Sequence, residues 1–281
     1  MAAAFKKIAV FGVGRSADAA QRACALGIVD AVAASAAEAV RDADLVLIAA
    51  PVAQTGAILR SIAPHLAPHT VVTDAGSTKG DVVQAARAAL GDRIAQFVPG
   101  HPIAGREQNG PEAALADLYD GKKVVLTPLP ENTPEHVARA AQAWRLCGAG
   151  IHHLTPQDHD RVFAAVSHLP HLLAYALVDD LARQPHADLL FQYAASGFRD
   201  FTRIAASSPE MWRDIALANQ PALLGELDAY IAQLQRMRQS LADGDGAQLH
   251  AVFANAQQAR QNWGNAIEAG AKQDRLSSGG D

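Results

Sequence analysis

Five short, almost uninterrupted apolar runs in the first half of the chain constrain its fold more than any other feature. They are "KIAVFG", "DLVLIAAP", "TVVTDAGS", "AQFVPGHP" and "GKKVVLTP". Each holds three to six apolar residues with Gly, Pro or Asp beside them, the mark of a buried strand. Runs without polar alternation point to a parallel sheet covered on both faces. The segments between them, such as "GAILRSIAPHL" and "GDVVQAARAALG", read as helices. Strands alternating with helices build βαβ units, so the expected class is α/β with a doubly wound, mostly parallel sheet.

After about residue 155 the strand signals stop. From Pro156 to about Lys272 the pattern is helical, and long apolar helices with little to cover them suggest pairing with a second copy. The expected organisation is an α/β domain over residues 1–155 and an all-helical domain over 156–272. The polar, Gly/Ser-rich remainder at 273–281 reads as a disordered tail. The 281 residues carry a net charge of −5, which gives no basic surface for nucleic acid. Cys24 and Cys147 form no ligand-like cluster, the start shows no signal peptide, and the longest apolar run is half a membrane span. The expectation is a cytoplasmic protein with neither membrane nor nucleic-acid partners.

The first strand leads into "FGVGRSADAA". Gly12 and Gly14, with Ala17, fit G-x-G-x-x-G/A, in which glycines turn the backbone tightly and let it approach a pyrophosphate at a helix N-terminus. Gly-x-Gly is also common in ordinary loops. Ser16 reads as an N-cap and Asp18 lies in the first helical turn, so both compete with a phosphate, and Arg15 offsets Asp18 only in part. Asp30 is at a plausible distance to hold a ribose, but "GIVDAVAAS" is a poor strand.

Four longer motifs follow in order: "DAGSTKG", "GHPIAGRE", "SHLPH" and "GFRDFTRIAASSPEMWRDI". Over residues 5–270 the chain closely resembles the prephenate/arogenate dehydrogenases of tyrosine biosynthesis. The resemblance implies a Rossmann-like domain followed by a helical dimerisation domain, a homodimer through the C-terminal helices, and oxidative decarboxylation of prephenate or arogenate with NAD or NADP. It also implies that roughly 25 residues, close to one ~30-residue βαβ unit less a strand, are missing after "GVG". The first strand then becomes the edge of the sheet.

His101, at the carboxyl end of a buried strand, is the candidate base, because a neutral imidazole accepts a proton at pH 7. The resemblance places the family's catalytic histidine there. Ser77 in "DAGSTKG" either orients the substrate hydroxyl or His101, as the resemblance implies, or caps the next helix. Asp74 and Lys79 shape the turn. Arg203 is the candidate carboxylate clamp, since guanidinium pairs with carboxylate bidentately. His171, by resemblance, lines the substrate pocket. Gly12, Gly14, Arg15 and Pro51, the last ending "DLVLIAAP", are assigned to the cofactor.

His168 and His171 form H-x-x-H without a third ligand at metal spacing, and Pro170 breaks their helical register, so no metal is assigned. His152, His153 and His159 are taken as surface residues, Arg199 and Arg213 as ion-pair partners, and Phe201 and Trp212 as core. Arg106 either touches a carboxylate or is exposed. Two rival readings accompany this one. The first is a relative that binds substrate but has impaired cofactor binding. The second is a dehydrogenase of 3-hydroxy acids, disfavoured because residues 156–184 hold no lysine to serve as its catalytic group.

Overall fold

The structure is a computed structural model that describes residues 8–14, 16–105, 108 and 110–278, with side chains through Ile267. Arg15 and Arg106 therefore lie outside the described residues. The chain opens with a small parallel βαβ unit made of β1 (Phe11–Gly12), α1 (Ala17–Ala25) and β2 (Ala31–Val32). A single turn, α2 (Ala36–Ala39), precedes β3 (Leu45–Ile48). Then come α3 (Thr55–Ile62), β4 (Val71–Asp74), α4 (Gly80–Leu90) and β5 (Phe97–Val98), and the three strands pair in parallel in the order β3-β4-β5. A third sheet contains β6 (Gly100–Pro102), β7 (Lys123–Leu126) and, after α5 (Pro134–Leu146), β8 (Gly150–His153). β6 runs antiparallel to β7, and β8 runs parallel to it.

The α/β class holds, but the one sheet expected from the runs is divided into three. Pro99 causes one division. It has no N–H to donate to a ladder, so "AQFVPGHP" becomes two strands, β5 on β4 and β6 on β7. The carbonyl of Pro99 accepts the amide of Thr127 across the break.

The second division corrects the expectation for the first strand. β1 does not flank the main sheet. It pairs with β2, inside the stretch judged a poor strand. Asp30 seals the join: its carboxylate accepts the Val10 amide at 2.8 Å, and its own amide donates to the Val10 carbonyl at 2.8 Å. Asp30 is thus turned into the backbone and is not presented to a ribose. The pairing leaves Ile8, Val10, Phe11 and Val13 exposed, with Phe11 at 60%, and Leu45 and Leu47 of β3 are also open. The first run is apolar without being buried.

Two apolar clusters hold the α/β region. Ile48, Val52, Leu59, Val72 and Phe97 meet on one side of the β3-β4-β5 sheet, and Val98, Val124, Leu126 and Trp144 on the other. Full burial of each large side chain contributes about 1.5–3 kcal/mol. The helical part continues through α6 (Pro156–Phe163), a π-helical turn at Ala164–His168, α7 (Leu169–Ala182), α8 (Ala187–Gln192), α9 (Ser196–Thr202) and α10 (Pro209–Ala218). Pro170 sits in the first turn of α7, where the wide π turn has already released the amide it lacks. Residues 156–182 are long and apolar enough to cross a membrane by length and composition. Their histidines and Asp160 instead join the buried polar network described below.

By compactness the chain divides at Leu224/Gly225 into two units. Helices α6 to α10 pack onto the α/β core: Ile215 enters the first apolar cluster, and Asn219 donates to the carbonyl of Asp160 at 2.8 Å. The last two helices are α11 (Gln220–Ala242) and α12 (Gly246–Ser278). Gly244 turns the chain between them at φ +68°, and Asp245 accepts the Gln248 amide at 2.9 Å as a cap. α12 runs past Lys272 into the stretch expected to be disordered.

Candidate active site

The site is assembled at the carboxyl ends of β4 and β5. Asp74, the last residue of β4, is buried, and so is Lys79 five residues later. Lys79 Nζ donates to Asp74 Oδ2 and, at 2.7 Å, to the carbonyl of Gly100. The remaining capacity of the carboxylate is used as well: Oδ1 accepts the Gly100 amide at 3.0 Å and Oδ2 accepts the Gly76 amide at 2.9 Å. A buried ion pair is tolerable only when its spare donors and acceptors are satisfied in this way. The close approach requires glycine. A Cβ on Gly100 would stand 2.9 Å from the Asp74 carbonyl, and one on Gly76 2.7 Å from its carboxylate. Asp74 and Lys79 therefore do more than shape a turn, because they hold both backbone groups of the residue next to His101.

His101, in β6, is half-buried against Phe163, with ring centroids 4.9 Å apart. Its Nδ1 lies 2.8 Å from His159 Nε2, and His159 Nδ1 lies 2.8 Å from Asp160 Oδ1. Asp160 also accepts the amides of Lys79 at 2.8 Å and Gly80 at 2.7 Å. His159 is fully buried, which corrects its reading as a surface residue, whereas His152 and His153 are exposed as expected. Its signal was hidden because α6 is polar on one face and buries that face.

Burial holds His101 well below the ordinary histidine value, helped by the neighbouring His159, Lys79 and His168. Burial also lowers His159, against the pull of Asp160. The carboxyl of Asp160 lies low: burial pushes it up, but its bonds from His159 and the two amides outweigh that.

Ser77 is half-buried in the β4–α4 turn. It does not cap α4. Lys79 holds the cap position, and the free amides go to Asp160. His168, buried in the π turn, meets Asn219 through Nδ1 at 3.1 Å and feels the Ser77 backbone. Burial pulls it down to about 4.

His171 is half-buried and stacks on Trp212 at 3.4 Å between centroids, and its Nδ1 donates to the Ser167 carbonyl at 2.9 Å. Burial lowers it, and the charge of Arg203 lowers it further, which puts Arg203 on the same side. Trp212 is thus core and site wall together. Phe201 is half exposed and so is not core. Arg199 and Arg213 pair with Asp200 and Asp214, as expected of ion-pair partners.

On the cofactor side, Gly12 ends β1, Gly14 follows it, and Pro51 follows β3. The space a Cβ would need at Gly12 is taken by Val29 at 3.0 Å. Ser16 caps α1 by accepting the Ala19 amide at 3.1 Å, with Asp18 in the first turn. Gly14 and Pro51 thus lie just past the carboxyl ends of β1 and β3. The positive end of α1 is already used by its own cap.

A Rossmann-like α/β unit with a half-buried histidine behind the sheet's carboxyl edge, backed by helices, is the layout of a nucleotide-dependent dehydrogenase. The comparisons with known proteins are specific. Residues 2–153 match the prephenate dehydrogenase nucleotide-binding domain, and residues 155–255 match the prephenate dehydrogenase dimerization domain. A cyclohexadienyl dehydrogenase of Zymomonas mobilis is 40% identical over 245 residues, covering 85% of this chain and 82% of that protein. The crystal structure of prephenate dehydrogenase from A. aeolicus in complex with hydroxyphenyl propionate and NAD+ superposes with a TM-score of 0.84 at 35% identity, over 92% of this chain and 90% of that one. A Synechocystis arogenate dehydrogenase follows at TM-score 0.76 and 28% identity, over 91% of each. The chain belongs to the prephenate dehydrogenase family.

Proposed function

We propose that this chain oxidatively decarboxylates prephenate or arogenate with NAD or NADP, in the cytoplasm, as a step of tyrosine biosynthesis. The observation that carries the reading is His101: a half-buried imidazole whose charged form burial disfavours, bonded to His159 and set beside the Gly100 backbone that Asp74 and Lys79 hold. The substrate must lose a proton from its 4-hydroxyl and a hydride from C4 while the ring carboxylate leaves as carbon dioxide. His101 takes the proton, and Ser77 orients the hydroxyl. Arg203 pairs with a substrate carboxylate, and His171, kept neutral against Trp212, completes that wall. The bound nicotinamide supplies the hydride acceptor, held by Gly12, Gly14 and Pro51, with Arg15 beside them.

Two domains in the functional sense, 1–155 and 156–272, and a homodimer through α11 and α12, belong to the same reading. Support comes from the family's dimerization region and from exposed Ile231, Leu234, Phe253 and Trp263 on those helices. Steady-state oxidation of prephenate and arogenate tests the function. His101→Ala is expected to lower kcat by about 10²–10⁴-fold, the scale of a lost general base. Undiminished turnover removes His101 from the chemistry.

One observation favours a second reading, a relative that binds substrate while its cofactor affinity is impaired. β1 is paired away from β3, and α1 is closed by Ser16 and Asp18. This agrees with a shortened first crossover. Calorimetric titration with NAD and with NADP decides: micromolar binding of either supports the enzyme.

A further inference from the structure

The geometry points to His159 and Asp160 as positioning residues that lock the tautomer of His101 and receive its proton during turnover. The inference rests on His101 being the base, as proposed above. Two hydrogen bonds in series, each 2.8 Å, run from His101 Nδ1 through the His159 ring to Asp160. Ring nitrogens do not declare their protons, so the assignment must start from a group that does.

Asp160 is that group. Its Oδ1 accepts the Lys79 amide and its Oδ2 the Gly80 amide, and backbone N–H groups only donate. These amides open α4, an eleven-residue helix whose positive end favours the ionised carboxylate. His159 Nδ1 therefore donates to Asp160. The neutral ring then has a bare Nε2, which only accepts. His101 Nδ1 must donate to it, and the lone pair of His101 is left on Nε2, where a substrate hydroxyl can meet it. Among the described residues that nitrogen has no hydrogen-bond partner of its own. The other charged or titratable groups facing the pair are Lys79 with Asp74, and His168.

The same chain moves charge. As the substrate O–H bond breaks, an N–H bond forms at His101 Nε2. The Nδ1–H bond of His101 breaks as one forms at His159 Nε2. His101 ends neutral and the cation rests on His159, in contact with Asp160. The gain is physical: Lys79 opposes a cation on either ring, but only an imidazolium at His159 touches a carboxylate, that of Asp160. Removing the orienting carboxylate from a comparable Asp–His pair costs about 10⁴-fold in turnover through the wrong tautomer.

The test separates this inference from the functional reading because one readout needs no activity. Nitrogen-15 NMR of the histidine-labelled full chain is expected to show His101 protonated at Nδ1 and bare at Nε2. A His101 protonated at Nε2 overturns the lock, whether or not the wild type oxidises prephenate. Wild-type inactivity with the expected spectrum sinks only the functional reading.

For the relay, His159→Gln keeps an acceptor for His101 but cannot carry a proton onward. It is expected to keep the tautomer and the substrate KM while kcat falls about 10–10²-fold. His159→Ala is expected to lose both the tautomer and more rate. Wild-type kcat and an unchanged pH profile in His159→Gln overturn the relay.

Discussion

The Asp74–His101–Asp160 region and the β1–α1–β2 region carry similar numbers of glycines and polar residues, yet they are built on opposite terms. Around His101 each charge is buried and partnered: Asp74 with Lys79 and two amides, Asp160 with His159 and two amides. In β1–α1–β2 two-residue strands pair in the open and the apolar side chains face outward. The contrast shows that apolar content alone does not make a core. Burial needs a second surface, and β3, which offers Leu47, is paired only on its far side among the described residues. A polar network held from four chain segments specifies a geometry that a two-rung ladder cannot.

The largest expected way to break this contrast is Lys79→Met. It leaves Asp74 charged and without its cation, at a cost of about 3–5 kcal/mol, read as loss of unfolding free energy in urea. Retained stability would show that the carboxylate is satisfied by its amides alone.

Acid should strike the same region next. His168 lies near 4 in the folded protein and near 6.5 when unfolded, so between those values the unfolded chain binds more protons. Stability from this group is whole above about pH 6.5 and is lost as pH falls toward 4, by about 3 kcal/mol at most. His101 and His159 are shifted the same way and add to the loss. Urea midpoints that stay flat across pH 6.5 to 4 would contradict their burial, and His168→Gln should shallow the slope.

The N-terminal region should respond weakly. Asp18→Asn removes a negative charge from the first turn of α1 and should lower the KM for NAD by roughly 2–5-fold, the size of a helix-end charge effect. A raised KM would place the pyrophosphate elsewhere. Smallest of all, Phe11→Thr should change unfolding free energy by less than about 0.5 kcal/mol, as expected of an exposed position. A larger loss would mean that β1 is covered in solution, and would narrow the gap between the two regions.

Much of the site was legible because its residues end strands. Ser77 and Pro51 follow from the rule that open α/β sheets work at their carboxyl edge and lie past β4 and β3, whereas His101 sits within the short antiparallel strand β6, three residues past β5. His159 and Lys79 were misjudged for one shared reason. Each is fixed by a partner that its local stretch does not show, His101 for the first and the carbonyl of Gly100, 21 residues on, for the second.

By itself the amino-acid order determined the alternation of strand and helix, the change to helices near residue 155 and a histidine close behind a buried strand. These follow from period, ring constraint and side-chain type, which act over a few residues. Only the tertiary structure decided that β1 leaves the main sheet for β2, that α6 to α10 pack with the α/β core, and that a second histidine and an aspartate stand behind His101. Those outcomes depend on which distant donor meets which acceptor once water is excluded, and no local pattern encodes that pairing.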